Sequence, residues 1–298
     1  MTEFVTMRDG KNVAVTYWEN VASPRGAVVL VHGMCEYIAR YDDFATYLNT
    51  NGYYVIGMDN RSFGATDEGN RGKGYDGMFE DTVDDIKEEL ELARKRWNTD
   101  NIMVIGHSYG SFLTQRFIEK YHADVKGAIL CGSALQAGLI LKVGSMIANS
   151  KAKKHPDEEG KVFAKLTFES YDKKIKDGKN GWLNRDKAAV EKYNADEQCA
   201  FTCANSFYKS MFDGLKLTNK ERNKVPSDFK LMIASGADDG VGGYGKLVKK
   251  LDKAYRKKCG LSAKVKLYDG GRHEILNELN KGEVYEDFLA FVDEVLGA

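Results

Sequence analysis

The chain has 298 residues, of which 43% are hydrophobic, so it can bury a large core. Its 44 basic residues balance its 44 acidic residues, which gives no electrostatic reason to expect a nucleic acid as partner. No run of eighteen apolar residues occurs, so the sequence predicts no transmembrane segment. The length suits one α/β domain with an insertion, or two domains.

The cysteines and the N-terminal residues bear on the cellular compartment. Residues 1–5 lack the basic region and the apolar core of a signal peptide. The five cysteines are odd in number and scattered, as is typical of reduced thiols, so we expect a cytoplasmic protein. Cys199 and Cys203 could share a helix face, but no His or Cys pair lies nearby in the sequence. We therefore predict that they are small core residues and not metal ligands.

The first half of the chain alternates between predicted strands and helices. Two alternating segments, 4–7 and 13–18, flank an Asp-Gly turn, which predicts two antiparallel strands. Four continuous apolar runs are typical of strands buried on both faces of a parallel sheet. These runs cover residues 27–31, 53–58, 102–105 and 125–130. Apolar residues at three- and four-residue intervals between 83 and 97 predict an amphipathic helix between two of them.

After Cys131 this rhythm stops for about seventy residues, which favour helices and are rich in charge. Strand patterns resume at 229–234 and 263–268, and a final helix is predicted over about 283–296. Repetition of strand, helix and strand predicts a doubly wound, mostly parallel sheet. The interruption predicts a helical insertion, 133–206, set into one core.

Residues 106–110 read Gly-His-Ser-Tyr-Gly and match the pattern Gly-x-Ser-x-Gly. The match alone is weak evidence, but its context is informative. An apolar strand ends at Ile105, and a helix containing Phe112 and Leu113 follows at once. A serine on such a sharp turn exposes its hydroxyl above the sheet. We therefore predict that Ser108 is a nucleophile.

A serine nucleophile needs a base to take its proton. Three histidines follow Ser108 in the chain. We expect His122 to cap the helix after the serine, and His155 lies in the charged insertion. Only His273 follows a late strand, on a glycine-rich loop before the last helix, which is where the base belongs in the order serine, acid, histidine.

The base in turn needs an orienting carboxylate after the preceding strand. Asp238 and Asp239 are adjacent there. Because neighbouring side chains in a loop point in different directions, we expect only one of them to meet His273. The other should cap the turn or the helix that follows.

Stabilising a developing oxyanion requires two backbone N–H groups. One should come from Tyr109, directly after the serine. The other should come from the loop after the first parallel strand, which reads His-Gly-Met-Cys-Glu at 32–36 and makes Met34 N–H the candidate. We interpret His32 as a structural residue of this loop, because it precedes the nucleophile.

Together these segments resemble the monoacylglycerol lipase and lysophospholipase-like branch of the α/β-hydrolases (serine aminopeptidase S33 type), particularly its bacterial members, over nearly the whole chain. The resemblance rests on 32–36 with Arg40-Tyr41, 106–110, 236–245, His273-Glu274, 182–186 and 199–202. It implies an α/β-hydrolase fold, a small-molecule acyl ester as substrate, and neither cofactor nor metal. In the family the acid is the fourth residue of Gly-x-x-Asp, which falls here on Asp239.

The chain departs from the family in loops that border the expected site. The family usually carries Asp-x-Arg-Gly-His-Gly after the second parallel strand, whereas this chain has Ser62 and Phe63 in place of the Gly and His. Tyr37 likewise stands where a histidine is common. These departures bear on substrate preference more than on chemistry.

The resemblance also makes the insertion 133–206 a helical cap over a core formed by 1–132 and 207–298. Two sets of apolar residues could pack in its interior, roof the site, or do both. These sets are Leu135, Leu139, Val143 and Ile147, and Phe201, Tyr208 and Phe212.

The sequence therefore predicts a serine esterase that transfers an acyl group to Ser108, with His273 as base and then acid. Two alternatives stay open. A peptidase or acyltransferase could use the same triad, and an aminopeptidase would need acidic cap residues such as Glu158, Glu159 or Glu169 to hold the substrate amine. A binding protein without turnover is the other alternative, although such proteins typically lose a triad member.

Overall fold

The computed structural model describes residues 2–297. Its eight strands are β1 Thr2–Thr6, β2 Asn12–Trp18, β3 Gly26–Val31, β4 Tyr53–Met58, β5 Ile102–His107, β6 Gly127–Cys131, β7 Lys230–Gly236 and β8 Lys264–Tyr268. They form a single sheet in the order β1-β2-β4-β3-β5-β6-β7-β8. Every segment predicted to be a strand is one, with ends displaced by at most two residues.

Strand direction follows the predicted pattern. β2 pairs antiparallel with both β1 and β4, and the remaining neighbours pair in parallel. In the register of the central strands, Val31 at the end of β3 pairs with Gly106 near the end of β5. The loops that follow these two strands therefore emerge side by side at the carboxyl edge of the sheet, where open α/β sheets bind their ligands.

Ten α-helices accompany the sheet within the described residues. They are α1 Asp42–Thr50, α2 Met78–Trp97, α3 Tyr109–Tyr121, α4 Gly138–Lys154, α5 Lys161–Leu166, α6 Phe168–Ile175, α7 Lys187–Ala195, α8 Asn205–Glu221, α9 Lys246–Cys259 and α10 Lys281–Leu296.

Alternate residues of the central strands pack into two separate cores. Val28 and Leu30 of β3 belong to a cluster that includes residues of α1 and α10. Val29 and Val31 belong to a second cluster, with residues of α2, α3, α8 and α9. Because both faces of the sheet are covered by helices, its central strands are almost wholly apolar, as the sequence predicted for a doubly wound sheet.

Helices α4 to α8 occupy the chain between β6 and β7. Part of this region has a small buried cluster of its own, formed by Trp182, Leu183, Tyr193 and Cys199. By contrast, α4 packs along α8 and contributes Leu141 to the larger of the two sheet cores. A division into cap and core at 133 and 206 stays a prediction. No helix between residues 2 and 297 is long and apolar enough to cross a membrane.

Candidate active site

Ser108 lies at the sharp turn between β5 and α3. Its backbone angles, φ 52° and ψ −118°, are uncommon for a residue with a side chain and mark a locally strained conformation. A Cβ atom on Gly110, two residues later, would overlap the carbonyl oxygen of Val31. The glycine therefore lets α3 begin directly against β3, which is the geometry predicted for the Gly-x-Ser-x-Gly motif.

His273 lies next to the serine although 165 residues separate them in sequence. Its Nε2 is 2.8 Å from Ser108 Oγ, and its Nδ1 is 3.0 Å from Asp239 Oδ1. The Nδ1–H bond is not well aligned with that oxygen, so Nδ1 lacks a well-formed hydrogen bond. Such bonds in unliganded sites are often poorly aligned and tighten when substrate binds.

Asp239 and Asp238 occupy different environments. Asp239 is fully buried, and its carboxylate accepts hydrogen bonds from the Ser235 hydroxyl at 2.9 Å and the Val241 N–H at 2.8 Å. Burial acts to raise the pKa of Asp239, but the facing His273 and these hydrogen bonds outweigh burial and lower it. Asp238 is exposed. The structure thus brings Asp239, and not its neighbour, to the histidine.

Met34 and Tyr109 both line cavities at Ser108. Within residues 2–297, no acceptor takes the backbone N–H of either residue, so both groups are available to a ligand. A Cβ atom on Gly33 would lie 3.1 Å from the Cβ of Ser108. The loop after β3 therefore approaches the serine closely only because it has glycine at this position.

His32 connects the loop after β3 to the loop after β4, which agrees with its interpretation as a structural residue. Its Nε2 accepts a hydrogen bond from the Asn60 N–H at 2.8 Å, so its Nδ1 carries the proton that is donated to the Gly33 carbonyl at 2.8 Å. Burial lowers the pKa of His32 and keeps it neutral.

A buried polar network, to which no sequence pattern pointed, lies behind the site. The Glu36 carboxylate accepts hydrogen bonds from the Gly33 N–H at 2.6 Å and the Tyr41 hydroxyl at 2.8 Å. Arg40 binds both Glu36, at 2.6 Å, and Glu274, at 2.8 Å. Burial opposes ionisation of Glu36, but the charge of Arg40, together with the hydrogen bond and charge of His107, outweighs burial and lowers the pKa of Glu36. The loop after β3 is thereby tied to the loop that carries the histidine.

His107 belongs to the same network. Its Nδ1 is 2.8 Å from the Tyr41 hydroxyl and 3.2 Å from Glu36, and its Nε2 is 3.3 Å from the His273 carbonyl oxygen. Burial favours the neutral imidazole, but Glu36, together with the charge of Glu274 and the His273 carbonyl, outweighs burial and raises the pKa of His107. The resemblance to the family included Glu36, Arg40, Tyr41 and Glu274, but only the contacts in the structure show that these residues connect the two loops.

Two cavities meet at Ser108. The larger, of about 440 Å³, is bordered mainly by apolar side chains from α4, α5 and α8. They include five residues of the two predicted apolar sets, namely Leu139, Val143, Ile147, Tyr208 and Phe212. The smaller cavity, of about 210 Å³, is bordered by carboxylates as well as aromatic rings. Its wall contains Phe201, a sixth residue of the two predicted apolar sets.

The departures at Ser62 and Phe63 lie behind the site. Ser62 takes a φ of 79°, a conformation that glycine adopts without strain. The Phe63 ring is buried and packs edge-on against His32 and Tyr109. Among the described residues, neither of the two borders either cavity. Tyr37, the third departure, donates a hydrogen bond to Asp196 at 2.8 Å.

Cys199 and Cys203 are buried, as predicted, but both precede α8 and so do not share a helix face. Between residues 2 and 297, no cluster of three or more His, Cys, Asp or Glu side chains has an arrangement suited to a metal ion.

Comparison with known proteins gives two relatives in sequence and one solved structure with the same fold. A monoacylglycerol lipase of Mycolicibacterium smegmatis is 28% identical over 128 residues, which is 43% of this chain and 45% of that enzyme. Phospholipase YtpA of Bacillus subtilis is 22% identical over 92% of this chain and 97% of its own length. A carboxyl esterase of Bacillus coagulans, solved with glycerol, has a TM-score of 0.89 at 23% identity and covers 99% of this chain and 98% of its own.

A family model covers most of the chain. The model described as serine aminopeptidase, S33, matches residues 22–280. This range contains the serine turn, the buried aspartate and the histidine loop. The chain belongs to the serine aminopeptidase S33 family of α/β-hydrolases.

Proposed function

We propose that this protein hydrolyses carboxylic esters through an acyl intermediate on Ser108. The observation that carries the proposal is the continuous contact from Ser108 Oγ to His273 Nε2 at 2.8 Å and from His273 Nδ1 to Asp239 at 3.0 Å. His273 takes the serine proton as Oγ attacks the ester carbonyl, and then gives that proton to the leaving alcohol. Asp239 holds the tautomer of His273 that exposes Nε2 to the serine and stabilises the imidazolium.

In this mechanism the negative charge of the tetrahedral intermediate falls on the former carbonyl oxygen. The N–H groups of Met34 and Tyr109 are the donors assigned to it. Water, activated by His273, then attacks the acyl-serine and releases the acid.

The two cavities suggest where each half of an ester binds. The apolar cavity of about 440 Å³ suits an acyl chain, since each methylene buried there contributes about 0.8 kcal/mol. The smaller cavity then takes the alcohol. In this proposal the segment 133–206 is a cap, because α4 and α5 form much of the wall around the acyl chain.

The charges of the smaller cavity favour an uncharged alcohol over a phosphate-bearing one. Its wall contains Glu36, Glu169, Asp172 and Glu274 but only one lysine, Lys179. Arg40 pairs with Glu36 and Glu274, which leaves the carboxylates of Glu169 and Asp172 against the single Lys179. A phosphate placed there would be repelled. Monoacylglycerol therefore fits this chain better than an anionic lysophospholipid does.

An aminopeptidase is the second candidate, supported by one specific contact. Glu169 of α6 borders the smaller cavity together with Ser108, where its carboxylate could bind a substrate amine. Glu158 and Glu159, also considered from sequence, are exposed and border neither cavity within the described chain.

The test is labelling of the purified protein with a fluorophosphonate, followed by assays on monoacylglycerols, lysophosphatidic acid and aminoacyl p-nitroanilides. We expect labelling of the wild type, with monoacylglycerol as the best substrate. Ser108→Ala should abolish labelling and lower ester turnover by about three orders of magnitude or more without unfolding the protein. A well-folded alanine variant with substantial ester turnover would refute the proposal, and anilide cleavage above ester cleavage would favour the aminopeptidase.

A further inference from the structure

A short segment of the inserted region is bound to the loop that carries the histidine. We call residues 181–185, between α6 and α7, the strap. The strap packs against the loop 272–280. The Arg272 guanidinium donates hydrogen bonds to the carbonyl oxygens of Gly181, at 2.6 Å, and Asn184, at 2.9 Å. Charge-assisted bonds of this kind are stronger than neutral ones.

The residue on the other side of the histidine is held as well. The Glu274 N–H donates to the Leu183 carbonyl at 2.8 Å. Further along the loop, the buried carboxylate of Glu278 accepts from the backbone N–H of Arg185 at 3.0 Å, from its Nε at 2.9 Å, and from the Arg272 N–H at 3.1 Å. The strap thus fixes the backbone on both sides of His273.

An aromatic group on the strap contacts the imidazole itself. The Trp182 side chain is 6% exposed, and its ring centroid lies 5.0 Å from that of His273 with a tilt of 35°. Phe168 stacks on the indole at 5.1 Å and 3°. Tyr171 meets the indole edge-on and also packs over Gly240, beside the aspartate. Side chains from the inserted region therefore cover the histidine and the loop of its acid.

We propose that the strap positions His273, with the Trp182 ring as the positioning residue that holds the imidazole between Ser108 and Asp239. The inference rests on the proposed function of these three residues. The imidazole needs such support because its contact to Asp239, though short, is poorly aligned. A misplacement of about 1 Å can lower the rate of a reaction about 10²-fold.

The experiment compares Trp182→Leu and Trp182→Phe with the wild type. The readouts are the rate of labelling by a small fluorophosphonate, kcat and KM on p-nitrophenyl acetate, and the melting temperature. We expect Trp182→Leu to lower the labelling rate and kcat 10- to 100-fold, with KM changed less than threefold. Trp182→Phe keeps a flat ring beside the imidazole, so it should restore both rates to within about fivefold of the wild type.

Trp97→Leu is the matched control, because it removes another indole stacked on an aromatic ring. Trp97 packs on Tyr54 at 4.7 Å and borders neither cavity in the described chain. It should lower the melting temperature and leave the labelling rate unchanged. If Trp182→Leu does not fold, Glu278→Gln decides, because it keeps the shape of the side chain and weakens the bonds to Arg185 and Arg272. A kcat reduced severalfold then supports the proposal.

A folded Trp182→Leu variant that is labelled at the wild-type rate overturns the inference, as does a loss confined to KM. If that variant does not fold, Glu278→Gln with unchanged kcat overturns it instead. These outcomes leave the proposed function intact. Failure of the proposed function would look different, because in that case the fluorophosphonate would not label the wild type either.

Discussion

The loops at the strand ends and the inserted helices contribute to the same site in different ways. Asp239 and His273, on the loops, are 0% and 2% exposed, and each lies within 3.0 Å of polar side-chain atoms. On α4, Leu139 and Ile140 border the larger cavity and yet are 75% and 82% exposed. The first region is suited to hold reacting atoms in place, and the second offers an apolar surface without directional contacts. Substitutions in the loops should change the rate for every ester, and substitutions in the helices should change the ratio between esters.

The largest expected effect comes from the aspartate pair. Asp239→Asn should lower kcat about 10⁴-fold on short and long esters alike, because the histidine loses the carboxylate that holds its tautomer. Asp238→Asn, the adjacent exposed control, should remain near wild type. Measurement of kcat on two p-nitrophenyl esters, with melting temperatures as a check on folding, distinguishes the two aspartates. If the effects are reversed, Asp238 is the acid, and two nearly normal variants would place the acid elsewhere.

The buried glutamates Glu36 and Glu89 differ in whether their carboxylates have partners. This difference should affect how the stability of the protein depends on pH. Glu36 is paired, whereas neither carboxylate oxygen of Glu89 has a partner in the described structure. Burial, and next the charge of Asp85, raise the pKa of Glu89. Above the unfolded-state pKa, the folded protein must keep this proton, so stability falls as pH rises toward the folded-state pKa.

Glu89→Gln should therefore stabilise the protein by an amount that grows with pH above about pH 4.5, by at most about 1.4 kcal/mol per pH unit, until the folded-state pKa is reached. Denaturant unfolding at pH 5, 6 and 7 measures it. A gain that does not depend on pH would show that the carboxylate is not the cause. Esterase rates should not change, since Glu89 borders neither cavity in the part of the chain that the structure describes.

The wall of the larger cavity should control acyl-chain preference. The wild type should prefer medium or long acyl chains to acetate. A Cβ on Gly144 of α4 would lie 2.8 Å from the Phe212 ring, so Gly144→Leu should fill the cavity and lower the ratio of decanoate to acetate hydrolysis about tenfold or more. Ser150→Leu, on an exposed position of the same helix, is the control. An unchanged ratio in Gly144→Leu would mean that the acyl chain binds elsewhere.

The smallest effect concerns the strained loop at Ser62. Ser62→Gly should stabilise the protein by about 0.5–1 kcal/mol, because relief of strain at φ 79° exceeds the added entropy of the unfolded chain. Ser62→Ala keeps the strain and removes a buried hydroxyl that lacks a partner in the described residues. Both variants lack the hydroxyl, so the difference between their melting temperatures reports the backbone strain at residue 62. Equal melting temperatures would contradict the prediction.

The sequence by itself determined the strands, the mostly parallel character of their sheet and the turn at Ser108. Apolar runs and glycine positions report local backbone geometry and burial, so they can be recognised without knowing what lies opposite. It also indicated His273 through its place after a late strand. Its pattern could not separate Asp238 from Asp239, and the resemblance to the family was needed to favour one.

The tertiary structure decided which carboxylate is buried against His273, and it alone revealed the Glu36 network, the strap and the two cavities. These features join residues far apart in the chain, such as Arg40 with Glu274, whose separation is 234 residues. Such contacts depend on the register of the sheet and on how the inserted helices pack over its edge. The local sequence pattern does not predict these contacts, because the pattern around each residue is the same whether or not its partner lies nearby in the fold.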